Sequence, residues 1–461
     1  MRPVSISLPA PPGSSPAGVS GAKPSPPARE TLYFRPFVLT ALGSTLLGGS
    51  AIGAIFFHRT WGTLGPVPDG WKSLHGHLQI FGLFGASILG FGLHLVARFA
   101  GKGFDWPRPG RLLMALFGSG LLLRVLGDPV LRPLLPAVFA WTAPLGSLLE
   151  LSAFAVFGLW VRRTLGASRG VHAPHEPLLY LGALSFALGL LADASAGALA
   201  AAGKSGEAGL FDPQLVLVSE TLAFWGGIAG WVFGVILRAF PMFNPGIPSA
   251  GPVSRWVPRL LFPGCGILAA SAFVPAGLAR SRTIAAGLLL YHAGALLAIV
   301  LAGAFRRRKG GLKMAFDLTE ALFYRYALFA ATAGSLISLG LAVRAALGSP
   351  PSGLVPDAAR HLFALGLFLG LLLGMMLRLV GVFEGKPLRA PHLRRPAFAL
   401  LAAGLAGRFL QVGGEFGWTG AIRVASYSGY LVWLAIQLAA VCVIGTIVLP
   451  SRTGRWELGL G

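Results

Sequence analysis

Apolar residues are grouped along the chain in runs of about 20, and short polar segments separate one run from the next. A helix needs about 20 residues to cross the hydrocarbon core of a bilayer. The pattern therefore predicts an all-α, polytopic membrane protein with twelve spans. The predicted spans are residues 36–57, 74–99, 111–127, 138–161, 177–201, 214–240, 258–279, 283–305, 323–347, 358–383, 396–412 and 424–449.

The second and tenth apolar runs share one sequence pattern. When residues 77–102 are aligned without gaps on residues 361–386, 13 of 26 positions are identical. A weaker copy in the sixth run lies 144 residues after the second, with Ser219-Glu220-Thr221 in place of the histidines. Recurrence at a regular spacing indicates structural repeats. We expect three pseudo-repeated arcs of four helices, over residues 34–165, 175–308 and 320–450.

The composition agrees with a membrane location. Hydrophobic residues make up 54% of the 461 residues, charged residues make up 12%, and the mean hydropathy is +0.71. These values exclude an ordinary soluble protein. The net charge of +22 indicates basic cytoplasmic loops and contact with anionic membrane lipids, and nucleic acid is not an expected partner. Residues 1–30 are rich in proline and are predicted to form a disordered cytoplasmic arm before a single transmembrane domain, 31–461.

Lysine and arginine are distributed unequally between the loops. The loops after even-numbered spans contain 21 of these residues, and the loops after odd-numbered spans contain eight. By the positive-inside rule, both termini are predicted to be cytoplasmic. The second, sixth and tenth spans then begin at the outer face, where His75, His77, Glu220 and His361 share one depth.

The histidines at the start of the second and tenth spans are candidate metal ligands. A polar group at this depth needs a partner or a function, and neutral imidazole is a common ligand of haem iron, copper and zinc. If the arcs surround one axis, His77 and His361 are predicted to hold haem from opposite faces, with His75 as an alternative ligand or a second metal ligand. His75 and His77 point about 200° apart on a helix, so both cannot reach one metal. The alternative for His75 and His77 is an interfacial role at the helix end.

Two further basic features lie within the spans. His292 is in the middle of the eighth span and is a candidate copper ligand or distal-pocket residue, although a core histidine hydrogen-bonded to a neighbouring helix is the favoured explanation. His94 and its counterparts Arg238 and Arg378 place a basic residue at one level in all three repeats. Long basic side chains at that level suggest contact with lipid phosphates.

Acidic residues inside the apolar runs are few. An intramembrane acid often marks a proton path or an ion pair, so Glu150, Asp193 and Glu220 are candidates for a proton path. Arg344 and Arg408 lie within or at the ends of apolar runs. These arginines are candidate partners for the acids or for haem propionates.

Four stretches of sequence resemble motifs of a known family. They are Phe34-Arg35-Pro36-Phe37, His75-Gly76-His77-Leu78-Gln79-Ile80-Phe81-Gly82, Arg238-Ala239-Phe240-Pro241-Met242-Phe243, and His361-Leu362-Phe363-Ala364 with Gly374-Met375-Met376-Leu377-Arg378. Together they resemble the NnrS family of bacterial inner-membrane haem proteins. The resemblance implies a twelve-helix protein of the inner membrane that contains haem, expected to be of b type, with copper as a candidate second metal. It also implies a role in the nitric oxide response and in resistance to nitrosative stress, with nitric oxide as the small-molecule ligand.

The chain departs from the family pattern at two places. Val382-Phe383-Glu384-Gly385 stands where the family often has Gly-His-Thr-Gly, and Leu78 stands in place of a glutamate. The arrangement also resembles subunit I of haem-copper oxidases and nitric oxide reductases, in which three four-helix arcs place haem histidines on spans 2 and 10. The copper-binding histidines of spans 6 and 7 in those enzymes are missing here, so a complete oxygen-reducing centre is not expected.

Two classes of function remain open at this point. The first is a haem-binding membrane protein that senses, sequesters or converts nitric oxide. The second is a transporter or proton-pathway protein built from repeats and lacking haem, in which His77, Glu220 and His361 line a substrate or proton path.

Overall fold

The computed structural model describes residues 33–62, 70–101, 107–131, 134–166, 175–205, 210–243, 251–303, 318–349 and 353–450. The predicted disordered arm, residues 1–30, lies outside these ranges. The described residues form twelve long helices and no strand. They are α1 (Phe34–Trp61), α2 (Trp71–Phe99), α3 (Pro107–Leu126), α4 (Ala137–Gly166), α5 (His175–Ala201), α6 (Pro213–Ala239), α7 (Pro252–Phe273), α8 (Leu278–Leu301), α9 (Thr319–Ala346), α10 (Leu354–Glu384), α11 (Pro391–Phe416) and α12 (Thr419–Val448).

The helices confirm the all-α membrane prediction. Eleven of the described helices are long and apolar enough to cross a membrane, and α3 is a further helix of 20 residues. Each observed helix overlaps one predicted span, and most extend a few residues beyond it. The extension occurs because polar residues such as Lys72 continue the helical hydrogen bonding of α2.

Consecutive helices pack against one another, and α12 packs against α1. The indole of Trp433 on α12 donates a hydrogen bond of 3.1 Å to the carbonyl of Leu46 on α1. The guanidinium of Arg35, at the start of α1, donates bonds of 2.6 and 2.5 Å to Glu384, at the end of α10. The contact between Arg35 and Glu384 places the first residues of α1 and the last residues of α10 at one end of the helix bundle.

Three helices form the centre of the bundle. The buried share of the residues is 89% in the apolar window of α2, 72% in α6 and 67% in α10, but only 33% in α11. Helices outside this centre direct apolar side chains outward, as Leu47 of α1 (88% exposed) and Phe329 of α9 (75% exposed) do. The helices that share the sequence pattern are therefore the ones with the least outward-facing surface.

The three central helices also share an irregularity. Each changes from α-helical to π-helical hydrogen bonding, over Leu78–Gly85 in α2, Leu222–Ile228 in α6 and Leu362–Leu369 in α10. These segments begin at residues that the repeat alignment places at the same position. A π-helical turn holds one more residue than an α-helical turn, and such turns often occur at functional sites.

Candidate functional site

A cavity of about 290 Å³ lies where α2, α6 and α10 begin. His75 on α2 and His361 on α10 both line it, and we call it the histidine cavity. Helices α1, α11 and α12 complete its wall. The apolar part of the wall includes Phe57, Ile80, Phe84, Phe224, Trp225 and Leu365.

Each cavity histidine is held through one ring nitrogen. His75 donates from Nδ1 to the carbonyl of Gly49 on α1, at 2.7 Å. His361 donates from Nδ1 to the carbonyl of Asp357, one turn earlier on α10, at 2.8 Å. Among the described residues neither Nε2 atom has a hydrogen-bond partner. A metal-binding histidine is oriented in this way, because the bond at one nitrogen fixes the tautomer and leaves the other nitrogen as the ligand.

A glycine on α1 leaves room for the His75 ring. A Cβ atom added at Gly53 would overlap Cε1 and Nδ1 of His75. Glycine at this position therefore allows α1 to approach the imidazole closely. The same helix supplies the carbonyl of Gly49 that orients the ring.

Charged side chains form one part of the cavity wall. Asp357 accepts hydrogen bonds from Arg360 at 2.8 Å, from Arg408 at 2.9 Å and from Gln411 at 3.0 Å. Arg360 also lies 3.9 Å from Glu220 on α6. Lys72 lines the cavity as well. Three cationic side chains thus face two carboxylates, which leaves an excess of positive charge in the wall.

His77 lies outside the histidine cavity, although the sequence pattern predicts it, ahead of His75, as a haem ligand. Its Nε2 atom is 3.1 Å from Oε1 of Glu150 on α4, and its Nδ1 atom is 3.6 Å from Oδ2 of Asp193 on α5. His77 does not line the histidine cavity. The two rings point to different sides of α2, as the spacing of His75 and His77 along the helix predicts.

His77 and His361 stand at aligned positions of the repeat, yet the two side chains face different spaces. His361 points toward the space bounded by α1, α11 and α12, whereas His77 points toward α4 and α5. The partner that shares a cavity with His361 is therefore a residue on another face of α2, which is His75.

The predicted acids form a buried network around His77. The guanidinium of Arg124 on α3 donates bonds of 2.8 Å to Asp193 and to Asp128. Ser147 also donates to Asp193, at 2.6 Å. Glu150 and Asp193, predicted together with Glu220 to line one proton path, belong to this network, while Glu220 lines the histidine cavity.

The other predicted site residues also lie in different parts of the structure. Arg408 lines the histidine cavity, whereas Arg344 is exposed and does not line it. His292 is fully buried beside Trp225 and Phe363, and neither of its ring nitrogens has a hydrogen-bond partner among the described residues. His94 packs edge-on against Phe34 instead of facing lipid.

Three residues of the site were not predicted from the sequence: Arg360, Asp357 and Gly53. Arg360 and Asp357 stand beside His361 in the sequence, at positions i−1 and i−4, and this spacing places them at the same end of α10. For Gly53 the sequence contains no comparable signal, because its role depends on how closely α1 approaches α2.

The cavity has the features that an iron porphyrin requires. Two imidazoles supply nitrogen ligands, the wall is largely aromatic and aliphatic, and arginines can pair with propionate carboxylates. Among the described residues no group of three or more His, Cys, Asp or Glu side chains is arranged to hold a metal ion. The site therefore suits a two-ligand cofactor better than a metal ion bound only by protein side chains.

Comparison with known proteins identifies the family and the fold. The sequence model of the family described as NnrS protein matches residues 31–452. Among solved structures, a haem-copper terminal oxidase dimer determined by cryo-EM is similar, with a TM-score of 0.66 and 15% sequence identity. That similarity covers 91% of this chain and 85% of the oxidase chain. A comparison with curated protein sequences found no match.

Proposed function

Because the chain belongs to the NnrS protein family, we propose that it is a membrane haem protein of the nitric oxide response. In this proposal His75 and His361 are the residues of the histidine cavity that would hold the haem. The fold is that of the haem-copper oxidase subunit. The nitric oxide part of the proposal rests on the family resemblance described for the sequence.

One observation carries the assignment of the ligands. His75 and His361 reach the same cavity from two different helices, and each ring is anchored at Nδ1 while its Nε2 atom has no partner in the described part of the chain. An unpaired imidazole nitrogen inside a membrane protein is costly unless it has a ligand. Coordination of iron by both Nε2 atoms satisfies the two rings at once.

The charged wall would fix the orientation of the haem. Arg360, Arg408 and Lys72 provide positive charge for two propionates. Asp357 holds Arg360 and Arg408 in place through hydrogen bonds of 2.8 and 2.9 Å. The aromatic and aliphatic residues of the wall would exclude water from the porphyrin. The amphiphilic haem therefore has one orientation that matches both parts of the wall.

Bound in this cavity, haem would supply a one-electron redox couple and, after displacement of one imidazole, an iron coordination position for nitric oxide. His75 and His361 differ in how each imidazole ring could be displaced. The anchor of His75 is on a different helix, at Gly49 of α1, so movement of α1 relative to α2 would move this ring. His361 is anchored within its own helix.

The proposal assigns no copper site. His292, the candidate for copper, is enclosed by aromatic rings, and among the described residues no group of three or more His, Cys, Asp or Glu side chains could hold a metal ion. We therefore propose haem as the cofactor and the iron as the position where nitric oxide binds.

The visible absorption spectrum of the purified protein tests this function. We expect a Soret band with the sharp bands of a six-coordinate, bis-histidine haem after reduction. Addition of nitric oxide to the reduced protein should shift the Soret band. A colourless protein that remains folded and stays colourless when haem is added would contradict the proposal and favour the transporter hypothesis.

A further inference from the structure

A second cavity, of about 220 Å³, lies between α2, α6 and α10 in the half of the bundle away from His75 and His361. We call it the arginine cavity, because Arg98, Arg238 and Arg378 line it. Phe84 lines both cavities. The ring of Phe368 lies 6.2 Å from that of Phe84 and 5.0 Å from that of Phe224, so this aromatic cluster stands between the two cavities.

Most of the wall of the arginine cavity is apolar. It is formed by three helices of the bundle centre and by Tyr324 of α9. The apolar residues include Ile88, Phe91, Leu95, Trp231, Val235 and Met375. An inorganic anion or a nucleotide would leave this wall without a complementary surface, whereas a hydrocarbon chain would cover it.

The three arginines come from equivalent ends of the three central helices. Arg378 donates a hydrogen bond of 2.7 Å to Glu320, so its charge is balanced. Arg98 and Arg238 instead lie over the rings of Phe383 and Phe99, at 5.0 and 5.7 Å. Within the described part of the chain neither Arg98 nor Arg238 forms an ion pair. Two positive charges therefore remain available at the polar end of an apolar cavity.

We propose that the arginine cavity binds a long-chain fatty acid, with its carboxylate at Arg98 and Arg238 and its chain along α2, α6 and α10. The planar guanidinium matches a carboxylate with paired hydrogen bonds. The volume of 220 Å³ equals the share of roughly seven water molecules in the liquid, which is room for part of one acyl chain and not for two. This favours a single-chain acid over a phospholipid.

Quenching of tryptophan fluorescence by dibromostearic acid tests the proposal on the purified, delipidated protein in detergent. Trp231 is 3% exposed and lines the cavity, so a bound brominated chain should quench it. We expect saturable quenching in the full-length protein and loss of the saturable component in Trp231→Phe. The methyl ester of the same acid lacks the charge and should quench only weakly.

Variants identify the charged contacts. The double substitution Arg98→Gln with Arg238→Gln should weaken binding roughly ten-fold or more, because two charge-assisted hydrogen bonds are lost. Arg162→Gln with Arg163→Gln, two exposed arginines at the end of α4, is the matched control and should bind as the unaltered protein does. Val235→Phe fills the cavity without changing charge and should also weaken binding, which keeps the test valid if the arginine variant does not fold.

Three results would overturn the proposal. They are equal affinity in the Arg98→Gln, Arg238→Gln variant and in its control, equal quenching by the acid and its methyl ester, and tighter saturable quenching by a dibromo-phosphatidylglycerol. The last result would assign the cavity to a two-chain lipid. None of these measurements requires bound haem, so their outcome does not depend on whether the haem assignment is correct.

Discussion

The Nε2 atom of His77 lies 3.1 Å from Oε1 of Glu150, and both side chains are fully enclosed between α2 and α4. This contact turns the His77 ring away from the cavity that His75 and His361 share. Two histidines separated by one residue therefore have different environments. His75 faces the histidine cavity, and His77 lies in a network of buried acids.

Gly53 is predicted to be necessary for the position of His75. In Gly53→Ala the new methyl group overlaps the imidazole, so the ring must move from its place against α1. A displaced ligand should lower haem affinity roughly ten-fold, the effect of about 1.4 kcal/mol. Titration of the haem-free protein with haem measures it. Gly43→Ala, on the same helix with no atom within 4 Å of the new carbon, should bind haem normally, and equal affinities for the two variants would refute the prediction.

The two candidate propionate arginines are predicted to differ. Arg408→Gln removes a cationic group from the cavity wall and should weaken haem binding roughly ten-fold, the typical worth of one charge-assisted hydrogen bond. Arg344→Gln changes an exposed side chain that lines neither cavity and should have no effect. Haem affinities of the two variants, measured side by side, check this prediction. A larger loss in Arg344→Gln would show that the charged wall is assigned wrongly.

Arg124 is predicted to be essential for stability and not for haem binding. It is 1% exposed and bonds both Asp193 and Asp128. Arg124→Gln leaves these two carboxylates without their common cation, and breaking a buried pair in this way costs about 3–5 kcal/mol. Denaturant titration in detergent measures the free energy of unfolding. Arg162→Gln, at an exposed site, is the control, and similar stability of the two variants would contradict the prediction.

The ion pair between Arg35 and Glu384 is predicted to tie α1 to α10. The Glu384 side chain is 0% exposed and is also 3.8 Å from Lys386. Arg35→Gln should destabilise the protein by about 1–3 kcal/mol, because the buried acid loses two hydrogen bonds. The double variant Arg35→Gln, Glu384→Gln removes both charges and should recover part of this loss. A double-mutant cycle gives the coupling energy, and a value near zero would mean that the pair is not a structural tie.

The number and course of the spanning helices could be predicted from the sequence. Apolar runs of sufficient length leave few alternatives in a membrane, and the observed helices follow the predicted spans. The distinction between His75 and His77 could not be predicted, because it depends on the direction in which α2 presents each side to its neighbours. The repeat alignment pairs His77 with His361 in sequence, yet His361 lines the histidine cavity and His77 does not.

The π-helical segments could not be predicted from the sequence either. The stretches at Leu78, Leu222 and Leu362 are apolar and continuous with the helices on both sides, and the insertion of one residue per turn leaves no mark in hydrophobic spacing. The backbone hydrogen bonds show that the three segments begin at aligned positions of the repeat. Glycines in these segments, such as Gly82 and Gly366, fall where neighbouring side chains approach closely.

The central claim is that His75 and His361 hold the haem while His77 does not. It is tested most directly by the visible spectra of His75→Ala, His361→Ala and His77→Gln, purified in parallel and supplied with haem. The account predicts that the six-coordinate bis-histidine spectrum disappears in the first two variants and persists in His77→Gln, at a lower stability. Loss of that spectrum in His77→Gln together with its retention in His75→Ala would contradict it.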